Sequence, residues 1–250
     1  MRLFDTHCHF ERADPTEIMA ILERAKAAGV EKLMAVGGSP SLNEAAALAA
    51  EVAAEAFVAP QVVCALGLDR DQVGLIRTKH QAPGTQVALG EIGLDYHYSP
   101  ETREAQLALF AQQLEEARRR DLPVVIHTRE ADDDTVALLK EIPSRGIIHC
   151  YTGTVDFARQ FLDLGFFVSI SGIVTFKPAE NVRDVARFLP DDRFLIETDS
   201  PFLAPVPMRG NPNEPAFIRH TCAFIADLRG VSADDFAELT FENAERILAV

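Results

Sequence analysis

Six side chains of this sequence have the types and placements from which a metal site is built: His7, His9, Glu91, His127, His149 and Asp199. His7-Cys8-His9 is a His-x-His on an extended stretch of chain. Side chains two apart on a strand face the same way, so both imidazoles can meet one ion while Cys8 faces away. His127 follows Val124-Val125-Ile126, and His149 follows Gly146-Ile147-Ile148. Either one alone would read as a hydrogen-bonded core histidine. Glu91 stands in Leu89-Gly90-Glu91-Ile92-Gly93, between glycines that let backbone or ligand approach closely. Asp199 stands in Glu197-Thr198-Asp199-Ser200-Pro201, where alone it would read as a turn cap. Polar groups at the tails of buried apolar runs are costly to bury. Six of them, all of metal-ligand type, point to a site.

Four imidazoles and two carboxylates exceed what one catalytic ion with an open position needs. They suit two ions that share a bridging carboxylate, about 3.5–4 Å apart, clamping an attacking water and a leaving oxygen. A mixed nitrogen and oxygen set admits zinc, manganese or magnesium. The chemistry is then hydrolysis, with a carboxylate accepting the proton of the attacking water. Cysteine nucleophile chemistry is the competing site reading. Cys8 and Cys150 each adjoin a histidine in sequence, but neighbours on a strand point to opposite faces, which is wrong for proton transfer. His80, His97 and His220 read as helix or loop surface, with His97 near the mouth of the site.

The elements that must position these groups form a regular cadence. Short apolar runs at 2–6, 32–36, 62–66, 87–91, 124–127, 146–149, 167–170 and 194–197 read as eight strands. Most are apolar at nearly every position, as a parallel sheet buried on both faces requires. Helical patterns lie between them at 15–28, 41–56, 100–120, 135–141, 155–164 and 178–189, and residues 215–250 hold two more, broken at Gly230-Val231-Ser232. Ser99-Pro100 reads as a cap followed by proline at the first helical position. The triplet Arg118-Arg119-Arg120 reads as a helix C-terminus, where cations meet the negative end of the macrodipole. Eight such units in 250 residues predict one domain, 1–250, folded as an α/β (β/α)₈ TIM-type barrel. The alternative is an open doubly wound sheet, weakened because no Gly-x-Gly-x-x-Gly follows the first strand. In a barrel all six candidate residues gather at the carboxyl-terminal rim of the strands.

Composition narrows the partners. The chain is 48% hydrophobic and 25% charged, with a formal charge of −14 and a pI near 4.9. That argues against nucleic-acid binding through a broad basic surface and leaves room for local phosphate contacts. The four cysteines lack zinc-ribbon or Cys-x-x-Cys spacing, and no apolar run approaches a membrane span. No charged-then-apolar leader opens the sequence, so a cytoplasmic protein with reduced thiols and no membrane partner is expected. No obligate protein partner is evident.

With these residues in view, the sequence resembles the TatD family of metal-dependent deoxyribonucleases, within the amidohydrolase-like barrels. The motifs are Phe4-Asp5-Thr6-His7-Cys8-His9, Gly90-Glu91-Ile92-Gly93-Leu94-Asp95-Tyr96, Pro123 to Arg129, His149-Cys150-Tyr151-Thr152-Gly153, and Glu197 to Pro205. The similarity extends to Glu242-Asn243-Ala244 and so covers essentially the whole chain. It implies that His7, His9 and Asp199 hold one ion, that His127 and His149 hold the other, and that Glu91 bridges them. It implies Asp199 as the proton acceptor, and a phosphodiester of DNA, often cut from the 3′ end, as substrate. Glu91 stands where many amidohydrolase-like barrels carry a carbamylated lysine. The resemblance departs after Pro207. The family reads His-Arg-Gly, then basic residues and then Asn-Glu-Pro, whereas this chain reads Met208-Arg209-Gly210-Asn211-Pro212-Asn213-Glu214-Pro215, a departure over Met208–Asn213. Thioether and amide groups cannot make charge-assisted bonds to phosphate. Arg103, Arg129, Lys177 and Arg209 are the candidates for contacts to DNA or to a small phosphodiester. Two other readings stay open: hydrolysis of a small amide, ester or lactone, and a non-catalytic metal-binding protein.

Overall fold

Apolar runs of three to ten residues become strands wherever helices can cover them on one side and a packed interior on the other. The computed structural model describes residues 1–12, 14–56, 58–75 and 84–250. Its strands are β1 (Leu3–Cys8), β2 (Val30–Gly38), β3 (Gln61–Leu68), β4 (Gln86–Asp95), β5 (Val124–Arg129), β6 (Gly146–Ile148), β7 (Phe167–Ile170) and β8 (Phe194–Ile196). Each pairs in parallel with the next in chain order, the arrangement of a (β/α)₈ barrel. The open doubly wound alternative is excluded by this strand order. The seam between β8 and β1 is drawn together where Asp199 N–H donates to His7 O at 2.9 Å and His9 N–H donates to Ser200 O at 2.7 Å. Three candidate ligands therefore lie on the backbone that closes the ring.

The helices are α1 (Pro15–Ala27), α2 (Pro40–Glu55), α3 (Arg103–Arg119), α4 (Asp132–Glu141), α5 (Val155–Asp163), α6 (Glu180–Phe188), α7 (Ile218–Arg229) and α8 (Ala233–Leu248). Asp14 caps α1 by accepting from Thr16 and Glu17 N–H, and Ser39 caps α2 by accepting from Leu42 N–H. Gly230, at φ 69°, ends α7 as the sequence predicts. The expected cap at Ser99 is corrected: Pro100–Thr102 is a 3₁₀ turn, the Ser99 side chain makes no cap bond, and α3 begins at Arg103. Buried Gln106 donates to Asp95 O and Ser99 O, each at 3.0 Å, and ties that segment to the end of β4. At the other end of α3, Arg118 and Arg119 pair with Glu115 and Glu116, and Arg120 donates to Gln86, so the triplet serves the helix end.

Two apolar layers hold the barrel. Inside it, Phe4, Met34, Val63, Ala88, Val125, Ile147, Phe167 and Leu195, one from each strand, pack with Phe241, Ala244, Ile247 and Leu248 of α8. Arg2 and Lys32, at the amino ends of their strands, pair with Glu238 and Glu245 of α8, so this helix covers that mouth. The outer layer lies between strands and helices and includes Leu3, Cys8, Leu33, Ile126 and Ile148. With one mouth stopped by α8, the carboxyl-terminal mouth is left for chemistry. Among the described residues no helix is long and apolar enough to cross a membrane.

Candidate metal centre

The six candidate ligands converge at that mouth, and they do so because several strands depart from regular alternation. In β1, Phe4 enters the interior layer whereas Cys8 lies in the outer one, and the pairing with β2 is irregular between Asp5 and Cys8. That change of phase turns the face shared by His7 and His9 inward, with their Nε2 atoms 3.1 Å apart, while the Cys8 thiol faces Met34 O. Glu91 does not end its strand, as its position in the sequence suggests. It lies inside β4, which continues to Asp95. The β4–β5 register shifts between Leu89 and Ile92, and irregularities of this kind re-aim side chains next to sites. The flanking glycines serve backbone approach: a Cβ on Gly90 would lie 2.6 Å from Val125 Cβ, and one on Gly93 would lie 2.0 Å from His127 O. His127 likewise lies within β5, whereas His149 and Asp199 follow β6 and β8 as expected. Asp199 adopts φ 54°, a left-handed conformation uncommon outside glycine that clusters at functional sites.

The side-chain atoms fall into two groups joined by Glu91. In the first, His7 Nε2 and His9 Nε2 lie 3.7 and 3.6 Å from Glu91 Oε2, and 3.8 and 3.5 Å from Asp199 Oδ1. In the second, His127 Nδ1 and His149 Nε2 each lie 3.3 Å from Glu91 Oε1 and 3.3 Å from one another. Four ligands held tetrahedrally about 2.1 Å from a zinc-like ion would stand roughly 3.4 Å apart. The spacings match the edges of such a polyhedron better than they match hydrogen bonds. His7, His9 and Glu91, and separately Glu91, His127 and His149, could thus each hold an ion, with His7, His149 and Asp199 as a further possible grouping.

The protons of three imidazoles are already assigned by partners outside the cluster. His9 Nδ1 meets Val36 O at 2.9 Å, His149 Nδ1 meets Glu197 Oε1 at 3.2 Å, and His127 Nε2 meets Asp95 Oδ2 at 2.9 Å. Each such acceptor takes the N–H and leaves the other nitrogen with a lone pair aimed into the cluster, as a metal ligand requires. Asp5 acts on the backbone: it accepts from His7 N–H at 3.3 Å, Thr198 N–H at 2.9 Å and Thr198 Oγ1 at 2.6 Å, tying β1 to the Asp199 turn. Burial pushes the Asp5 carboxyl up to about 7 against those bonds.

The ion-free electrostatics also fit a cation. Burial resists the ionisation of Glu91 and Asp199, but neighbouring imidazoles outweigh it and hold both carboxyls below their ordinary range. Burial likewise resists charging His9, His127 and His149, yet Asp199, Asp95, Glu91 and Glu197 raise all three. His7 is lowered, by burial first and then by His149 and His9. The carboxylates therefore demand positive charge, which protons supply until a metal displaces them.

Sequence reasoning did not single out Asp5, Asp95, Glu197 or Arg70. Asp5 and Glu197 stand two residues before His7 and Asp199, and Asp95 stands four after Glu91, so acidic residues at even spacing from a ligand were the available signal. Nothing local marks Arg70, whose Nη1 lies 3.1 Å from Glu91 Oε1.

The candidate substrate contacts are spread around the rim. Arg129 ends β5 and lies over the exposed Tyr98 ring, and Arg209 is exposed over the Phe176 ring. Arg103 forms a two-pronged pair with Asp134, and Lys177 is exposed. Asn213, the last residue of the Met208–Asn213 departure, is buried and donates to Thr198 O and Phe202 O at 2.9 and 2.6 Å, so that loop braces the Asp199 segment. His97 pairs with Glu130 at the surface, and His80 lies outside the described residues. Burial holds the Cys8 and Cys150 thiols well above their ordinary pKa, which is wrong for a nucleophile.

Comparison with known proteins gives the same reading of the whole chain. The family described as TatD related DNase matches residues 4–249. The metal-dependent hydrolase YabD of Bacillus subtilis is 37% identical, covering 99% of both chains. YcfH of Escherichia coli is 38% identical, covering 100% of this chain and 97% of that one. The crystal structure of YjjV, a TatD homolog of Escherichia coli, superposes with a TM-score of 0.87 at 30% identity, covering 100% and 98% of the two chains. The chain belongs to the TatD family of metal-dependent hydrolases.

Proposed function

We propose that this protein is a two-metal phosphodiesterase that acts on DNA and releases nucleotides from the 3′ end. The observation that carries the proposal is Glu91, whose two carboxylate oxygens face two different sets of histidines. In this reading His7, His9, Glu91 and Asp199 hold one ion, and Glu91, His127 and His149 hold the other. Divalent ions bound there would polarise the phosphodiester and make water a nucleophile near neutral pH. The chain's own residues do the rest. Asp199 is held ionised by His9, His149 and His7, and it takes the proton of the attacking water. Val36, Asp95 and Glu197 fix the imidazole tautomers. Arg129, Arg103, Lys177 and Arg209 form the set from which phosphate contacts at the rim are drawn. The description of the matching family supports DNA as substrate. Four unpaired cysteines support a cytoplasmic site of action.

A small amide, ester or lactone is the second reading, favoured by the uncharged stretch Met208 and Gly210–Pro212 beside Arg209 at the rim. The test sets 3′-labelled single-stranded DNA and bis-p-nitrophenyl phosphate beside a panel of carboxyl esters and amides. Protein loaded with Mg²⁺, Mn²⁺ or Zn²⁺ is compared with EDTA-treated protein. Release of labelled nucleotides only by the loaded protein is expected. No release, with loaded and depleted samples alike, would end the nuclease reading. Glu91→Gln and Asp199→Asn should each abolish turnover while far-UV circular dichroism stays unchanged, and full activity in both would remove their assigned roles.

A further inference from the structure

A permanent positive charge stands inside this cluster of ligands. Arg70 follows β3 in a 3₁₀ turn, Arg70–Gln72, that is firmly fixed. Asp69 N–H donates to Gly38 O at 2.7 Å, and the Gln113 amide of α3 bonds both N–H and C=O of Leu68 at 2.7 and 2.6 Å. The guanidinium is thereby carried to the mouth of the barrel. Its Nη1 lies 2.8 Å from Asp69 Oδ1 and 3.1 Å from Glu91 Oε1. Its Nε is buried, has no hydrogen-bond partner among the described residues, and lies 4.0 Å from Asp95 Oδ2.

These contacts fall on one side of the cluster. Glu91 Oε1 faces His127 and His149, and Asp95 is the carboxylate that orients His127. Arg70 thus touches the oxygen the second ion needs and approaches the anchor of one of its histidines. On the first side, Glu91 Oε2, His7, His9 and Asp199 are held by one another. Guanidinium does not deprotonate in proteins, so it cannot step aside by losing charge. An ion about 2 Å from Glu91 Oε1 would stand within roughly 5 Å of Nη1, where charges near a buried site are poorly screened.

We propose that Arg70 makes the two ion sites unequal: its guanidinium competes for Glu91 Oε1, so the four-ligand site fills first and the three-ligand site holds an exchangeable ion. This rests on the two-ion reading above and adds to it a residue that sets occupancy. Asp69 offsets part of the charge, and ligand number alone would favour the first site. The specific content of the proposal is that removing Arg70 tightens the second site.

The test is a titration of metal-depleted protein with Mn²⁺, followed by calorimetry and by electron paramagnetic resonance of free Mn²⁺. Wild type, Arg70→Met, Arg70→Gln and Arg70→Lys are compared. Wild type is expected to take up two ions in steps separated by roughly 100-fold or more. In the two neutral variants the second step should tighten by roughly tenfold or more, with the first step unchanged. Arg70→Lys, which keeps the charge, should retain the wild-type gap. The intact first step reports that each variant is folded. A second step that is unchanged or weaker in both neutral variants would overturn the proposal while leaving the two-ion reading in place, as would two equal steps in wild type. Absence of any uptake by wild type would bring down the two-ion reading, and this inference with it.

Discussion

Asp95→Asn is the change that best separates the candidate ligands from the groups that aim them. Asp95 is fully buried and belongs to none of the residue groups that could hold an ion. It accepts from His127 Nε2 at 2.9 Å and from the backbone N–H groups of His97 and Tyr98 at 2.9 and 3.0 Å. Burial opposes its ionisation, but the bonds from His127 and Tyr98, with the charges of His127 and Arg70, bring its pKa down from 3.8 to about 2. At about 1.4 kcal/mol per pKa unit, the folded state favours the charged form by about 2–3 kcal/mol. Asparagine keeps the shape and an acceptor for the two backbone donors, and it loses the charge. For a chain of this size, that corresponds to a fall in Tm of roughly 5–10 °C. Loss of an outer partner of a ligating histidine costs about 10- to 100-fold in metal affinity. That loss should fall on the site of His127 and His149 and spare the site of His7, His9 and Asp199. The assay is competitive titration of depleted protein against a chelator, with differential scanning fluorimetry on the same samples. A variant that bound both ions as wild type does would refute the claim that Asp95 orients His127 for metal. Equal weakening of both ions would show that the carboxylate acts by long-range charge. The predicted sign is opposite to that for removal of Arg70, although the two groups are neighbours.

Two other outcomes follow from the same geometry. The depressed carboxyls Glu91, Asp199 and Asp95 give the ion-free protein stability that is full above about pH 4 and is lost as pH falls through their lower folded values. The raised imidazoles His9, His127 and His149 give stability that is full below about pH 6.5 and is lost as pH rises through their folded values, with lowered His7 a partial offset. EDTA-treated protein should therefore melt highest in mildly acid solution, and the gain in Tm on adding Zn²⁺ should grow from pH 6 to 8; a gain that is constant with pH would contradict this account. Gly93→Ala would place a Cβ 2.0 Å from His127 O at a φ of 136°, so a loss of more than about 3 kcal/mol is expected in denaturant melts, and a neutral result would mean that β4 and β5 are not so closely apposed.

Local sequence was enough to read the barrel and to pick out the candidate ligands that the fold brings together. Eight apolar runs alternating with helical periods leave few topologies, because parallel strands need crossovers and buried strands must be apolar on both faces. Histidines and carboxylates at the ends of such runs are costly in a core, so their chemistry could be read before their positions were known. Tertiary structure decided what those groups do to one another. Strict alternation puts His7 and His9 on one face but Phe4 and Cys8 on the other, and only the irregular pairing of β1 with β2 separates Phe4 from Cys8 and turns the histidine face inward. Glu91 looks like a strand terminus and is a mid-strand residue re-aimed by a slipped register that Gly90 and Gly93 permit. The partners that assign imidazole protons come from other strands, as Asp95 does for His127 and Glu197 for His149. Arg70 reaches Glu91 across a strand boundary from a turn with no motif of its own. Such contacts depend on where strands register against one another, and register is fixed by the packing of the whole barrel, so no short window of sequence carries it.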